Sequence, residues 1–189
     1  MSENRKKYGV IVADPPWSYR NSGTRGAAQN QYETQSDEWI NSLLVDDLAA
    51  DDCVLLLWSV WPKLPECIGV AARWGFEYKT GFPWVKVNSV SDDAFEGTRF
   101  DCPYGIGFWI RGASEPVMIC TKGKAKPPTN GWIGLLSPNL KHSRKPESIY
   151  QYAESLPGPY LELFARRKRE GWDAFGNEIE GSIVMPSAV

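Results

Sequence analysis

The chain of 189 residues has the length of one domain, and 42% of its residues are hydrophobic, enough to build a core without disulfide or metal cross-links. Charged residues make up 23% and the formal net charge is −2, values that exclude a disordered chain and a coiled coil. Aromatic residues reach 13%, which suits a site that handles flat rings, although most of them should lie in the core.

The first part of the chain predicts strands alternating with helices. An apolar strand covers Tyr8–Ala13 and stops at two prolines, and Ser36 can then cap a helix. The apolar face of that helix comprises Trp39, Ile40, Leu43, Leu44 and Leu48. The run Cys53–Trp58 has strand length and is apolar throughout, as expected of a strand covered on both faces. A helix from about Pro62 to Trp74 ends at Gly75.

The second part continues the same alternation. Phe82–Val87 and Pro116–Thr121 predict further strands, a helix opens at Lys145-Pro146-Glu147, and Tyr160–Ala165 predicts a last strand. Strands that alternate with helices indicate an α/β fold with a mostly parallel sheet.

No internal repeat or low-complexity linker interrupts the chain, so we predict one domain over residues 1–189. Two long connections, 18–35 and 87–104, have the length of binding loops or lids.

The cysteine and histidine content indicates which metal sites the chain can form, and its apolar runs indicate whether it has a membrane span or a signal peptide. Four cysteines without a CxxC pair, together with the single His142, do not supply a zinc site. The longest apolar run, Cys53 to Trp61, is about half a membrane span, and the apolar run after Arg5-Lys6-Lys7 is too short for a signal peptide. We therefore predict a soluble, cytoplasmic protein without a metal and without a membrane partner.

Basic residues concentrate in the segment 120–170, which carries ten basic and four acidic groups. Such a cluster is either a solvated face or a groove that follows phosphates. The candidates for phosphate contact are Lys122, Lys124, Lys126, Lys141 and Arg144.

The most informative motif is Asp14-Pro15-Pro16-Trp17, directly after the first predicted strand. Ligands of open α/β sheets bind beyond the carboxyl ends of the strands, where this motif lies. The prolines supply carbonyls without N–H groups, Asp14 adds a carboxylate acceptor, and Trp17 offers a plane for stacking. These groups suit an exocyclic amino group on a flat base, while a rigid turn with a core tryptophan is the alternative.

An ordered set of further segments accompanies this motif, and together they resemble the METTL-type adenine methyltransferases, the family of the mRNA adenosine methyltransferase catalytic subunit and its bacterial and phage relatives. The resemblance covers about residues 8–178 and leaves a C-terminal tail at 179–189. Its segments are Gln31-Tyr32-Glu33-Thr34, Ser36-Asp37-Glu38, Leu56-Leu57-Trp58, Trp84-Val85-Lys86, Glu115 to Gly123, Ser143-Arg144-Lys145-Pro146-Glu147, Glu162-Leu163-Phe164-Ala165-Arg166, Gly171-Trp172 and Gly176-Asn177-Glu178.

The resemblance implies a single-domain, Rossmann-like methyltransferase fold that uses S-adenosylmethionine and releases S-adenosylhomocysteine, with the catalytic motif preceding the cofactor segments. The positions that match the family's cofactor residues are Asp14, Lys145, Phe164, Arg166, Asn177 and Glu178. Lys145 and Arg166 would hold the methionine carboxylate or neighbouring acids, and Asn177 with Glu178 would bind the ribose hydroxyls.

The resemblance also implies the activity: methylation of the 6-amino group of adenine in nucleic acid, with DNA favoured over RNA. The catalytic residues would be Asp14, Pro15, Pro16 and Trp17, and Trp17 with Tyr32 would contact the base. Two alternatives stay open, a cytosine N4-methyltransferase and a non-catalytic relative that only helps to bind nucleic acid. Against the second, both Asp14 and Trp17 are present.

Overall fold

A seven-stranded sheet organises the structure, a computed structural model that describes residues 6–18, 35–93, 97–103, 109–129, 132, 134–138 and 145–186. Its strands are β1 (Tyr8–Ala13), β2 (Ala49–Trp58), β3 (Glu77–Val87), β6 (Ser114–Lys122), β7 (Leu135–Pro138), β8 (Tyr160–Leu163) and β9 (Trp172–Phe175). They lie in the order β7-β3-β6-β2-β1-β8-β9. A separate hairpin consists of β4 (Ser89–Asp93) and β5 (Gly97–Asp101).

The sheet is mostly parallel. Strand β1 is parallel to β2 and β8, β8 is parallel to β9, and β3 is parallel to β7. Strand β6 alone among these runs antiparallel to its neighbours β2 and β3. We call the side where β1, β2, β3, β8 and β9 end the carboxyl edge and the opposite side the amino edge; β6 runs from the carboxyl edge to the amino edge. The predicted α/β class is confirmed.

Within the described residues, three α-helices cover the sheet, α1 (Asp37–Ser42), α2 (Leu64–Arg73) and α3 (Ser148–Glu154). The predicted cap of α1 is confirmed, since the Ser36 hydroxyl accepts a hydrogen bond from the Trp39 N–H at 3.1 Å. The prediction that this helix continues to Leu48 is wrong. Leu43 is extended and a short 3₁₀ turn follows at Val45–Asp47, so the chain buries its next apolar side chains without helical spacing.

The core has two layers because successive residues of a strand point to opposite faces. One layer packs the sheet against α1 and α2, and the other packs it against α3. The first layer takes Ile11, Ala13, Leu55 and Leu57, and the second takes Val10, Val12, Leu56 and Trp58. The β1 and β2 side chains are thus buried on both faces, as their apolar runs predicted.

Three further elements were not predicted from the sequence. The long connection 87–104 contains the β4–β5 hairpin, and the strands β7 and β9 were not predicted. Strand β9, Trp172–Phe175, is short and carries Asp173, so its composition does not stand out as apolar. The single-domain organisation stays a prediction.

Candidate active site

The Asp14-Pro15-Pro16-Trp17 motif lies at the carboxyl edge, in the centre of the sheet. Asp14 directly follows β1, and its N–H donates to the Leu163 carbonyl of β8 at 3.4 Å. From β1 the chain proceeds to β2 on one side, whereas β8 and β9 lie on the other. This is a topological switch point, where open α/β sheets form a crevice that binds ligands.

Asp14 belongs to a chain of alternating charges. The Lys145 ammonium lies 3.2 Å from Asp14 Oδ1 and 2.7 Å from Glu115 Oε2, and its side chain is only 14% exposed. The other Glu115 oxygen accepts a hydrogen bond from Lys86. The Lys145 ammonium also lies 4.6 Å from the centre of the Trp58 ring, and this cation–π contact helps to hold the ammonium in place. One cation therefore bridges two carboxylates at the edge of the site.

Burial and the neighbouring charges shift the pKa values of Asp14, Lys145 and Glu115 in opposite directions. Burial raises the pKa of Asp14 above its ordinary value, while the Lys145 charge opposes and the Glu115 charge adds to that rise. Burial lowers the pKa of Lys145, but Asp14 and Glu115 more than compensate and leave it raised. For Glu115, burial is likewise outweighed, here by Lys145 and Lys86, so its pKa is lowered. Lys145 and Glu115 are thus firmly charged, and the Asp14 carboxyl is the group whose ionisation depends on its neighbours.

The proline carbonyls of the motif already take part in the turn. The Pro15 carbonyl accepts a hydrogen bond from the Trp17 N–H at 2.8 Å, and the Pro16 carbonyl accepts one from the Gln35 N–H at 3.1 Å. A carbonyl oxygen has two lone pairs, so each can accept a second hydrogen bond. The turn therefore holds the Pro15 carbonyl in place without using its full capacity.

Trp17 has the contacts of a core residue. Its ring is 3% exposed and packs in the α1–α2 layer, and its indole N–H donates to the Trp58 carbonyl at 2.9 Å. The Lys63 ammonium lies 5.9 Å from the ring centre and bonds to Asp37 at the start of α1. The expected stacking plane for a base is not presented by this ring. The alternative of a tryptophan that anchors a rigid turn describes it instead.

The residues after β8 and β9 meet beside Asp14 at the same edge. Phe164 ends β8 in a left-handed conformation, φ +64°, and its ring lies 6.2 Å from the Trp39 ring and 6.5 Å from the Phe175 ring. Arg166 follows, and its guanidinium lies 3.2 Å from a Glu178 carboxylate oxygen. A positive φ is costly for a residue with a side chain, so the surrounding packing must hold the Phe164 turn in place.

Gly176 brings the last segment close to the turn after β8. A Cβ at this position would lie 2.0 Å from the Ala165 carbonyl oxygen, so only glycine fits. The Ala165 N–H donates to the Phe175 carbonyl at 2.9 Å, which holds the two turns together. Asn177 and Glu178 follow directly, and both are exposed.

The structure thus brings together all the predicted cofactor positions, although the chain separates them widely. Asp14 follows β1, Lys145 precedes α3, Phe164 and Arg166 follow β8, and Asn177 with Glu178 follows β9. The carboxylate, ammonium, aromatic ring and exposed amide at this edge make up the donor and acceptor set that a nucleoside carrying an amino acid requires. The roles of these residues toward a cofactor stay predictions.

Two of the five residues predicted to contact phosphate, Lys122 and Lys124, lie far from Asp14. Because β6 is antiparallel, its last residue, Lys122, pairs with Cys53 at the amino edge, about 24 Å along the strand from Glu115. Lys122 forms an ion pair with Asp46 there, and the Lys124 N–H donates to Asp52 at 2.6 Å. Lys122 and Lys124 are therefore on the wrong edge to position a polymer at Asp14. Lys126 is exposed in the segment that follows, and Tyr32, Lys141 and Arg144 lie outside the described residues.

Three charged residues of the site were given no role by sequence reasoning: Glu115, Lys86 and Glu162. Glu162 lies on β8 beside Val12 of β1 and accepts a hydrogen bond from the Tyr150 hydroxyl at 2.8 Å. Burial, and to a lesser extent the Asp14 charge, raises the pKa of Glu162 to about 7. A single carboxylate inside an otherwise apolar strand was the available signal, and it marks the face that Asp14 shares.

In the part of the chain that the structure describes, no group of three or more His, Cys, Asp or Glu side chains could hold a metal ion. The described helices are all too short or too polar to cross a membrane.

Comparison with known proteins decides the family. The family model MT-A70 matches residues 8–178. The chain belongs to the MT-A70 family. The predicted family of adenine methyltransferases and its Rossmann-like methyltransferase fold are thereby confirmed.

Relatives of this MT-A70 domain occur in bacteria and in animals. It is 31% identical over 208 residues to the type II methyltransferase M.MunI of a Mycoplasma species, covering 97% of this chain and 83% of the relative. It is 29% identical to an N(6)-adenosine-methyltransferase MT-A70-like protein of Drosophila melanogaster and 28% identical to the human N(6)-adenine-specific methyltransferase METTL4. The aligned regions cover 97% and 93% of this chain but only 29% and 38% of those two relatives. The chain thus spans most of the bacterial enzyme and less than half of the animal proteins.

Proposed function

We propose that this MT-A70 domain transfers a methyl group from S-adenosylmethionine to the 6-amino group of adenine in nucleic acid. The observation that carries the proposal is the Asp14 carboxylate at the topological switch point. It stands next to a fixed proline carbonyl and is charge-paired with Lys145. The match of the MT-A70 model over residues 8–178 supports the same activity.

The Asp14 carboxylate and the Pro15 carbonyl address the chief difficulty of this reaction. The lone pair of an exocyclic amino nitrogen is delocalised into the ring, so the nitrogen is a poor nucleophile. Two acceptors for its N–H groups favour a pyramidal nitrogen and stabilise the positive charge that develops on it. Because that charge grows toward the transition state, these hydrogen bonds strengthen where catalysis needs them. The surplus proton is acidic after transfer, so the site requires no strong general base.

Lys145 and Glu115 set the charge state of Asp14. The acceptor role requires the carboxylate form, which burial disfavours and the Lys145 ammonium favours. Glu115 holds that ammonium at 2.7 Å, so it positions Lys145.

The cofactor supplies an activated methyl group when bound. Asn177 would hydrogen-bond the ribose, and Phe164 would offer its ring to the nucleoside. Lys145 and Arg166 would face the amino-acid carboxylate. In the free protein Arg166 is paired with Glu178, so binding would share or exchange that ion pair.

DNA is the proposed polymer. The chain matches the bacterial type II methyltransferase over 83% of that enzyme, whereas it covers only 52% of a fungal relative named an N6-methyladenosine RNA methyltransferase. A duplex substrate would have to present the adenine outside its base stack, because a stacked base cannot reach a crevice at the sheet edge.

The experiment incubates the protein and methyl-labelled S-adenosylmethionine with a random-sequence DNA pool and a matched RNA pool, and identifies the methylated nucleoside by mass spectrometry. We expect N6-methyldeoxyadenosine from wild type. D14N should lose at least about a hundredfold in kcat, since a neutral amide replaces the negatively charged acceptor and the lost stabilisation of transition-state charge is worth roughly 3 kcal/mol or more.

The matched control is D46N. Asp46 is also paired with a lysine, but it lies at the amino edge, away from Asp14, so D46N should leave kcat unchanged. N4-methyldeoxycytidine as the product would support the cytosine enzyme. No product together with no cofactor binding in calorimetry would support the non-catalytic alternative.

A further inference from the structure

Large exposed apolar side chains occur in the segment just before β6 and at Trp61, which contacts the first residue of β6. Trp109 is 99% exposed, the adjacent Ile110 is 79% exposed and Trp61 is 50% exposed. Arg111, also exposed, follows directly. We call Trp61 and Trp109 to Arg111 the tryptophan patch. Fully exposed tryptophan is unusual on a protein surface, and it commonly marks a binding site.

Trp61 contacts the strand that carries Glu115, and the chain limits how far the rest of the tryptophan patch lies from it. The Trp61 indole N–H donates to the Ser114 hydroxyl at 3.1 Å, at the first residue of β6. The next residue is Glu115, which Lys145 bridges to Asp14. Trp109 precedes Glu115 by six residues, which keeps the two within about 20 Å even for an extended chain.

We propose, on the basis of the methylation activity proposed above, that Trp109 and Arg111 bind the nucleic acid next to the target adenine. An adenine that leaves the stack exposes the faces of the bases it leaves behind. An indole ring can stack on any such base, because every base has a π face, so this contact is independent of sequence. The Arg111 guanidinium then contacts a backbone phosphate.

A second copy of this chain is a poorer occupant of the same surface. Two tryptophan rings bury at most about 500 Å², whereas a stable interface buries about 800 Å² from each partner. The Arg111 guanidinium and the exposed tryptophan rings suit nucleic acid, which is a polyanion with flat bases. They suit a second copy of the patch less well, because two copies would place like charges together.

The experiment measures the affinity of each variant for a fluorescently labelled, random-sequence DNA duplex by anisotropy over a series of salt concentrations, and kcat and KM for the same duplex. W109A should weaken binding and raise KM by about tenfold or more. W109F, which keeps a ring, should stay near wild type. R111A should make the slope of log affinity against log salt shallower by about 0.9, the value for one phosphate contact.

The controls are Y78A and R73A, which remove an aromatic ring and an arginine exposed at the amino edge, and both should bind the duplex as wild type does. The affinity for S-adenosylmethionine should be unchanged in all variants.

Equal affinities of W109A and wild type would overturn the proposal, and so would a wild-type dimer that W109A converts to a monomer. The proposed methylation would survive either result, since it depends on the product formed by wild type and on D14N.

Discussion

Replacing Lys145 with methionine should make the activity more sensitive to acid. The ammonium bridges Asp14 and Glu115, and among the charges near Asp14 it is the one that most lowers the pKa of that carboxyl. K145M leaves two partly buried carboxylates facing each other with no cation between them. Asp14 then holds its proton at higher pH, and a protonated Asp14 cannot accept the charge of the reacting amine.

The size of the effect follows from the distance. With an effective dielectric constant of about 20, unit charges 3.2 Å apart attract by about 5 kcal/mol. Glu115 competes for the same ammonium and water reaches both groups, so only part of this attraction acts on the ionisation of Asp14. We expect the acidic limb of kcat to move to higher pH in K145M.

The assay is kcat against pH at saturating S-adenosylmethionine and DNA, so that weaker cofactor binding by K145M does not enter. E115Q should move the acidic limb of kcat in the opposite direction. It removes a negative charge that raises the pKa of Asp14, so its acidic limb should move down. K122M removes an ion-paired lysine at the amino edge and serves as the control. Identical acidic limbs in wild type, K145M and E115Q would refute the reasoning.

Three further predictions concern the cofactor, the amino edge and β8. N177A should weaken S-adenosylmethionine binding by about 1–3 kcal/mol in calorimetry, because a ribose hydroxyl loses its partner; an unchanged dissociation constant would remove Asn177 from the site. K122A should lower the free energy of unfolding by at most about 1 kcal/mol, the value of a surface ion pair, and leave the salt dependence of DNA binding as it is; a shallower slope would restore Lys122 to the polymer interface. The pKa of Glu162 is about 7 when folded and near 4.5 when unfolded, so the folded chain holds the proton more tightly and loses about 3 kcal/mol of stability as pH rises from about 4.5 to 7. E162Q imitates the protonated form and should remove this loss. If the free energies of unfolding of E162Q and wild type fell equally with rising pH, the prediction would be contradicted.

The sequence was a good guide to the parts of the fold that local pattern determines. The apolar runs of β1 and β2 and the Ser36 cap depend on side chains close in the chain, and the structure has them where predicted. The hairpin β4–β5 and the strand β9 depend on partners far along the chain, so periodicity alone did not reveal them.

The candidate site likewise contains residues that the sequence predicted and residues that it did not. The position of Asp14 followed from one rule, that ligands bind where parallel strands end. The places of Lys122 and Lys124 were not foreseen because they depend on the direction of β6, and an apolar run does not specify whether a strand is parallel or antiparallel. Glu115 was overlooked for the related reason that its partner Lys145 lies 30 residues away.

The position of β1 in the sheet has a consequence for the order in which the chain folds. Strand β1 is made first, but one of its two neighbours, β8, begins at Tyr160. At a synthesis rate of about 5–20 residues per second, roughly 8–30 s pass before β8 exists. During that interval β1 can pair only with β2 and presents an open, apolar strand edge, the kind of surface that joins other chains. Contacts this distant in sequence also slow the final step. We therefore expect the Asp14 crevice to be the last part of the molecule to assemble, and aggregation during synthesis to depend on how quickly α3 and β8 arrive to cover β1.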